Sequence, residues 1–437
     1  MAHGYSSVSL HDVPAIVRSE PFRLPMMARA VLWMLFALGV MAFVIGVSGP
    51  NAKLAWVSFQ VNFTYWLLVA AAATGFSAVF HISDGQWARP IRRIFESASE
   101  FLAWMIVPLV VLYFGREHLF VWAGHEKVPG KEMWLNANFV YARDLIGLVI
   151  LVLLSRKVVF YSIARDIAAV SGGCIPANGL ETSRWSEESY KRYVTATGQS
   201  GLGAIAHASA RMTRLSPVVV IVYAFVLSLI AFDQIMAVDP HWYSTLFGAF
   251  YFMSGVYLAV AWVAILAAIA RENHPLYRAK IEPRTLHDLG KLLFGFGIFW
   301  AYLFWSHYLT IWYGNIPEET SWVIVRLREE PWHSLSWFIF ACCFICPFLI
   351  GLSRDVKKVP TLLFALGMMV VCGLWLQQYL LFAPTLFPGE IPLGWQDAAI
   401  SLGFMGAFML SSFSFLGKFP LVPFGDFYQA KELKEAA

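Results

Sequence analysis

Ten blocks of mostly apolar residues, each of about 20 residues and so long enough to cross a bilayer as a helix, decide what this chain can fold into. They run Ala28–Val47, Val61–Ile82, Phe101–Val121, Phe139–Ser155, Pro217–Val238, Ser244–Ala270, Leu289–Tyr313, His333–Leu352, Thr361–Phe382 and Trp395–Leu416. Inside a bilayer, backbone N–H and C=O groups must be satisfied within the element, so blocks of this length read as helices. The expected fold is an all-α integral membrane protein with ten transmembrane helices. Composition agrees: 59% of the 437 residues are hydrophobic and 14% are charged, against about 25% charged in a soluble domain. A soluble enzyme, a disordered tail and a nucleic-acid module are excluded, so no nucleic acid is an expected partner and membrane lipids are.

Orientation follows from Lys and Arg in alternate connections. With these ten spans, 24 of the 32 basic residues fall on one side and six on the other, Arg143 and Lys291 lying within spans. The richer side includes Arg89, Arg92, Arg93, Arg165 and Arg354; the poorer holds Lys53, Arg116, Lys127, Lys131, Arg326 and Arg328. Both termini are therefore expected to be cytoplasmic. The first 28 residues lack a signal-peptide cleavage pattern, so the first block is expected to be retained. The chain divides into a tail at 1–27, spans one to four at 28–155, a cytoplasmic loop at 156–216, spans five to ten at 217–417 and a tail at 418–437. Within the loop, Lys157–Val170 reads as an amphipathic interfacial helix. Glycines and Pro176 at 172–179 break it, and Glu187–Ala210 forms a second helical run.

The passage His81…Arg89…Glu100 resembles His274…Arg284…Asp288: each has an apolar helix, a basic loop with proline, then an acid opening the next helix. Such a repeat fits two four-helix bundles, spans two to five and six to nine, with spans one and ten peripheral. No electron carrier is expected in the chain. A membrane haem needs two ligands at matching depth. His81 lies at the cytoplasmic end of its span, while His307 is about 18 residues into span seven, roughly 27 Å from that face at 1.5 Å per residue. Cys343 and Cys346 have metal-pair spacing but no second pair, and read as apolar packing residues.

Ionisable groups inside spans are costly and mark candidate sites. An outer set comprises Arg143, Asp144, Asp233, Asp239, His241 and His307, with Asp144, Asp233 and His307 each roughly 8 Å below the outer edge. Carboxylates and a neutral imidazole within reach of one another accept and pass protons; the alternative is a structural ion pair between Arg143 and Asp233 or Asp144. An inner set comprises His81, Asp84, Glu100, Asp288 and Lys291. Asp288 and Lys291 are spaced to pair on one helix face, and Glu100 is placed to open span three; the alternative reading is helix caps and interface anchors. At mid-depth stand mainly Gln377 and Gln378.

Four stretches carry a resemblance: Ala231–Thr245 (AFDQIMAVDPHWYST), Leu286–Leu293 (LHDLGKLL), Ile311–Glu319 (IWYGNIPEE) and His81–Pro90 (HISDGQWARP). They resemble the NrfD/polysulfide-reductase-type membrane subunits, and among these the ten-span subunits of alternative complex III, the bacterial quinol:cytochrome c oxidoreductase. The second such subunit, the ActF type, is the more similar. Ala237 stands where the family's stretch carries serine. The resemblance implies a place in the bacterial inner membrane. It also implies a sister ten-span subunit, a periplasmic iron–sulfur subunit and multihaem cytochrome c subunits as partners, with a terminal oxidase as a further neighbour. Haem c and iron–sulfur clusters would then sit in those partners, and quinone or quinol is the one ligand class for this chain. The expected function is a respiratory electron-transfer subunit contributing a proton path; the alternatives are a structural scaffold and a secondary transporter.

Overall fold

The computed structural model describes residues 8–124, 128–171 and 201–428. Among these residues the chain is helical without a strand, and ten helices are long and apolar enough to cross a membrane. They are span one (Met26–Ser48), two (Ala52–Ile82), three (Gln86–Leu119), four (Ala137–Val170), five (Gly201–Val238), six (Phe247–Asn273), seven (Pro283–Gly314), eight (Trp332–Gly351), nine (Pro360–Leu386) and ten (Trp395–Lys418). The protein is a multi-pass membrane protein. The predicted break at 172–179, the helical run over 187–200, Cys174, Lys127, Arg184, Lys191, Arg192, Lys431 and Lys434 lie outside the described residues.

Several spans are longer than their apolar blocks, and the reasons are local. Span two begins at Ala52 rather than Val61. Its first turns carry Ser58, Gln60 and Asn62, which depress hydropathy yet are buried in protein rather than exposed to lipid. Lys53 stretches its stem along the surface and donates to Leu386 O at 3.0 Å. Span three starts near Gln86 because Arg89, Arg92 and Arg93, expected in a loop, are helical and buried. Glu100 accordingly sits deep within the helix Arg89–Trp104 instead of opening it. That helix ends at Met105, where Pro108 removes an N–H and crowds the carbonyl four residues earlier. The helix expected over Lys157–Val170 is present as an unbroken continuation of span four to Ser171.

Span two is almost wholly buried and packs against spans three, five and six; span six packs in turn on seven and nine. Span four lies along span five, and span eight touches seven and nine. Spans one and ten pair, and ten also packs on three. The one–ten contact is close because a Cβ on Gly39 would fall 2.6 Å from the Gly403 Cα, the small-residue contact that lets membrane helices approach.

The described residues before span one and after span ten meet at one end of the molecule. Phe22 stacks on His274 and on Phe413, and Lys280 pairs with Asp12 at 2.7 Å. Tyr277 Oη donates to Leu421 O at 3.0 Å. Because Arg89, Arg165 and Lys357 gather there too, this is called the basic end.

Candidate functional site

Toward the opposite end, spans two, four and five bring together a closed polar centre. Span five is not a regular helix there: Ala231–Ile235 form a single π-helical turn, followed by a tight turn at Met236–Val238. The wide turn lets the consecutive side chains of Asp233 and Gln234 both point inward, and both are fully buried. Asp233 takes a bidentate pair from Arg143: Nε donates to Oδ2 at 2.5 Å and the second guanidinium nitrogen donates to Oδ1. Arg143 also donates to Trp134 O at 3.1 Å and lies 3.8 Å over the Trp134 ring. Gln234 Nε2 donates to Asp144 Oδ2 at 2.8 Å, while Gln60 Nε2 donates to both Gln234 O and Gln234 Oε1 at 2.9 and 3.1 Å. Asp144 is thus held by Gln234 and Asp233 by Arg143, each by the sequence neighbour of the other acid. Two buried oxygens, Asp144 Oδ1 and Gln60 Oε1, have no donor among the described residues.

This gathers Arg143, Asp144 and Asp233 from the predicted outer set. Asp239 and His241 lie in the following loop, where Asp239 Oδ1 accepts from the His241 N–H at 3.2 Å and His241 is exposed. His307 is elsewhere. Its ring faces Trp242 and Phe247 at centroid distances of 5.7 and 6.3 Å, and no hydrogen bond joins it to either acid. It lines an aromatic cavity of about 80 Å³ with Trp300, Phe304, Trp322, Arg326 and Gln377. Trp322 stacks flat on Trp242 at 4.0 Å. Arg326, on the short helix Pro317–Leu327, spends its donors on Leu380 O, Leu381 O, Trp322 O and Thr385 Oγ1. Burial pushes its pKa down to about 9, and Asp239 opposes this only in part.

The inner set does not assemble. His81 Nε2 is 3.4 Å from Thr213 Oγ1. Asp84 is exposed, in a left-handed conformation with φ 48°, and accepts from Gln86. Glu100 faces Arg156 at 3.6 Å. Asp288 and Lys291 pair at 2.7 Å, as their spacing implies. Apart from the Asp288–Lys291 pair, no side-chain hydrogen bond or ion pair among the described residues joins these five positions to one another.

The basic end instead holds an ion network centred on Arg93, which the loop reading of the sequence concealed. Arg93 pairs with both Glu96 and Asp166, all three fully buried. Ser162 Oγ donates to Glu96 at 2.8 Å and Ser77 to the same oxygen at 3.3 Å. The other oxygen of Asp166 accepts the N–H groups of Phe424 and Gly425 at 3.0 and 2.7 Å, so the segment after span ten is fastened to span four. Arg89 pairs with Asp426 at 2.6 Å. At intermediate depth the polar groups are hydroxyls: Tyr251 donates to Thr64 O, and Tyr65 donates to Val371 O while accepting from Trp262 Nε1. Gln377 accepts from Trp300 Nε1 at 2.8 Å. A further acid absent from the sequence reading, Asp397, is buried at the start of span ten and caps it through Gly394 N–H. The described residues hold no cluster of metal-ligating side chains, and Cys343 is a buried packing residue whose carbonyl accepts from Tyr257.

No protein-family model matches this chain, and a search of curated proteins returns no significant match.

Proposed function

We propose that this chain is an integral subunit of a quinol-oxidising respiratory complex of the NrfD, alternative complex III kind, in a bacterial inner membrane. Its part there is to handle protons near the outer face. Spans two to five and six to nine form two four-helix bundles in this reading, flanked by spans one and ten, with both termini cytoplasmic. Electrons leave through iron–sulfur and haem c groups of partner subunits. The sister ten-span subunit, the iron–sulfur subunit and the multihaem cytochrome c subunits dock against it.

One observation carries the proposal: two buried acids are held in one polar centre, Asp233 by Arg143 and Asp144 by Gln234. Two carboxyls facing one guanidinium leave room for a single exchangeable proton, and Gln234 and Gln60 orient the carboxyl that Arg143 does not neutralise. Of the oxygens in this centre, Asp144 Oδ1 is a carboxyl oxygen without a donor among the described residues and is the atom free to take that proton. Replacing Asp144 or Asp233 by asparagine in the assembled complex is expected to slow quinol oxidation and proton release by about tenfold or more. Unchanged rates remove the pair from the mechanism. The aromatic His307 cavity, at about 80 Å³, would have to widen to take a quinone head group, and labelling of its lining by a photoreactive quinone tests that separately.

A second reading has its own support. The bidentate Arg143–Asp233 pair is what a helix lock needs. If the chain is a scaffold, the asparagine variants lower the yield of complex and leave the rate of each surviving complex unchanged.

A further inference from the structure

The basic end carries more buried positive charge than its carboxylates neutralise. Four arginines, Arg89, Arg92, Arg93 and Arg165, are each at most 4% exposed. Three acids face them: Glu96 and Asp166 are taken by Arg93, and Asp426 by Arg89. Burial pushes the Asp426 carboxyl up, and Arg89, Arg165 and Arg92 more than reverse this, leaving it below the ordinary value of 3.8. Arg165 lies against Gly425, the neighbour of Asp426, and Arg92 shares its first helical turn with Arg89, which holds Asp426. Neither has a carboxylate within ion-pair distance among the described residues. Arg92 has one long contact, to Gly85 O at 3.5 Å, and its Nε is unpartnered. Arg165 is 2% exposed with both Nε and Nη2 unpartnered. A single unused acceptor, Asp426 Oδ1, stands against these three donors.

Buried guanidinium N–H groups without acceptors are strongly unfavourable. The missing partner must bring several acceptor oxygens and negative charge. Guanidinium forks match phosphate oxygens in this way. The position fits as well. Arg92 lies in the first turn of the 16-residue helix Arg89–Trp104, where the dipole favours an anion. His81, partly exposed beside Thr213, stands at the same end of the molecule. The cluster lies at the span ends on the side richest in Lys and Arg, where basic pockets between helices meet lipid head groups. We propose that Arg92 and Arg165 hold a phosphate-class oxyanion, supplied by the head group of an anionic phospholipid or by free phosphate.

The test uses the full-length protein in phosphate-free buffer, in nanodiscs of dioleoylphosphatidylcholine, whose phosphodiester is offset by its own choline, with or without the anionic dioleoylphosphatidylglycerol, and a separate titration with inorganic phosphate. Native mass spectrometry counts retained lipid, and thermal unfolding gives the midpoint. Wild type is expected to retain the phosphatidylglycerol and to gain midpoint with it. Arg165→Gln is expected to retain it at least about tenfold more weakly. In pure phosphatidylcholine that variant is expected to be no less stable than wild type, because it removes an uncompensated charge. A midpoint raised by inorganic phosphate and not by phosphatidylglycerol assigns the site to the free anion. Should Arg165→Gln fail to fold, Arg92→Gln takes its place. Equal retention by wild type and variant, or no response of wild type to either probe, overturns the proposal.

Discussion

Arg143 is the sole cation in the outer centre, and removing it leaves Asp233 buried against apolar neighbours with Asp144 beside it. Arg143→Ala is expected to destabilise the protein by about 3–5 kcal/mol, read as a lowered unfolding midpoint in detergent. The double variant with Asp233→Asn should lose less than the two single losses added together, because the orphaned charge goes too. Asp426 offers a pH handle. Its carboxyl sits below its ordinary value of 3.8 in the folded protein, so its contribution is fully present above that value and is lost as pH falls through the lower folded value. Asp426→Asn should flatten this acid limb of the stability profile, and an unaltered limb would show that the arginines around it do not sense its charge. At this scale the sequence announced Arg143, Asp144 and Asp233, since charges interrupting apolar blocks stand out. It did not announce Gln60, whose neutral amide is one polar residue among several in a helix. His307 stood out equally well, yet depth alone cannot tell which face of a helix a residue occupies, and it faces a different cavity.

Among elements, the closest backbone approach between spans one and ten rests on Gly39 and Gly403. Gly39→Leu is expected to force these helices apart. The lost contact should lower the unfolding midpoint in detergent, and Gly39→Ala should lower it less. An unchanged midpoint in Gly39→Leu would show that the pair tolerates separation at 39. The number of spans was legible because apolar length is a one-dimensional property. Their ends were not, because spans two, three and four run on through polar residues that other helices satisfy. Arg89, Arg92 and Arg93 illustrate this: counted as loop charges they entered the reading of orientation, and only the fold reveals Glu96 and Asp166 as the reason Arg93 can be interior.

For the whole molecule, the charge asymmetry predicts which end faces which compartment. Met133, 88% exposed in the connection between spans three and four, should react as Met133→Cys with a membrane-impermeant thiol reagent added to the periplasmic side of intact spheroplasts. A fluorescent protein fused after Ala437 should mature in the cytoplasm. Labelling of the Met133→Cys variant only after lysis would invert the topology. The fastening of Phe424 and Gly425 to Asp166 has a bearing on biogenesis. Synthesis runs from the N-terminus, so span four must wait for Phe424 and Gly425 to emerge before Asp166 gains its second set of donors. A chain cut short after Lys418 would keep all ten apolar helices and still leave that carboxylate oxygen facing an open, charged seam.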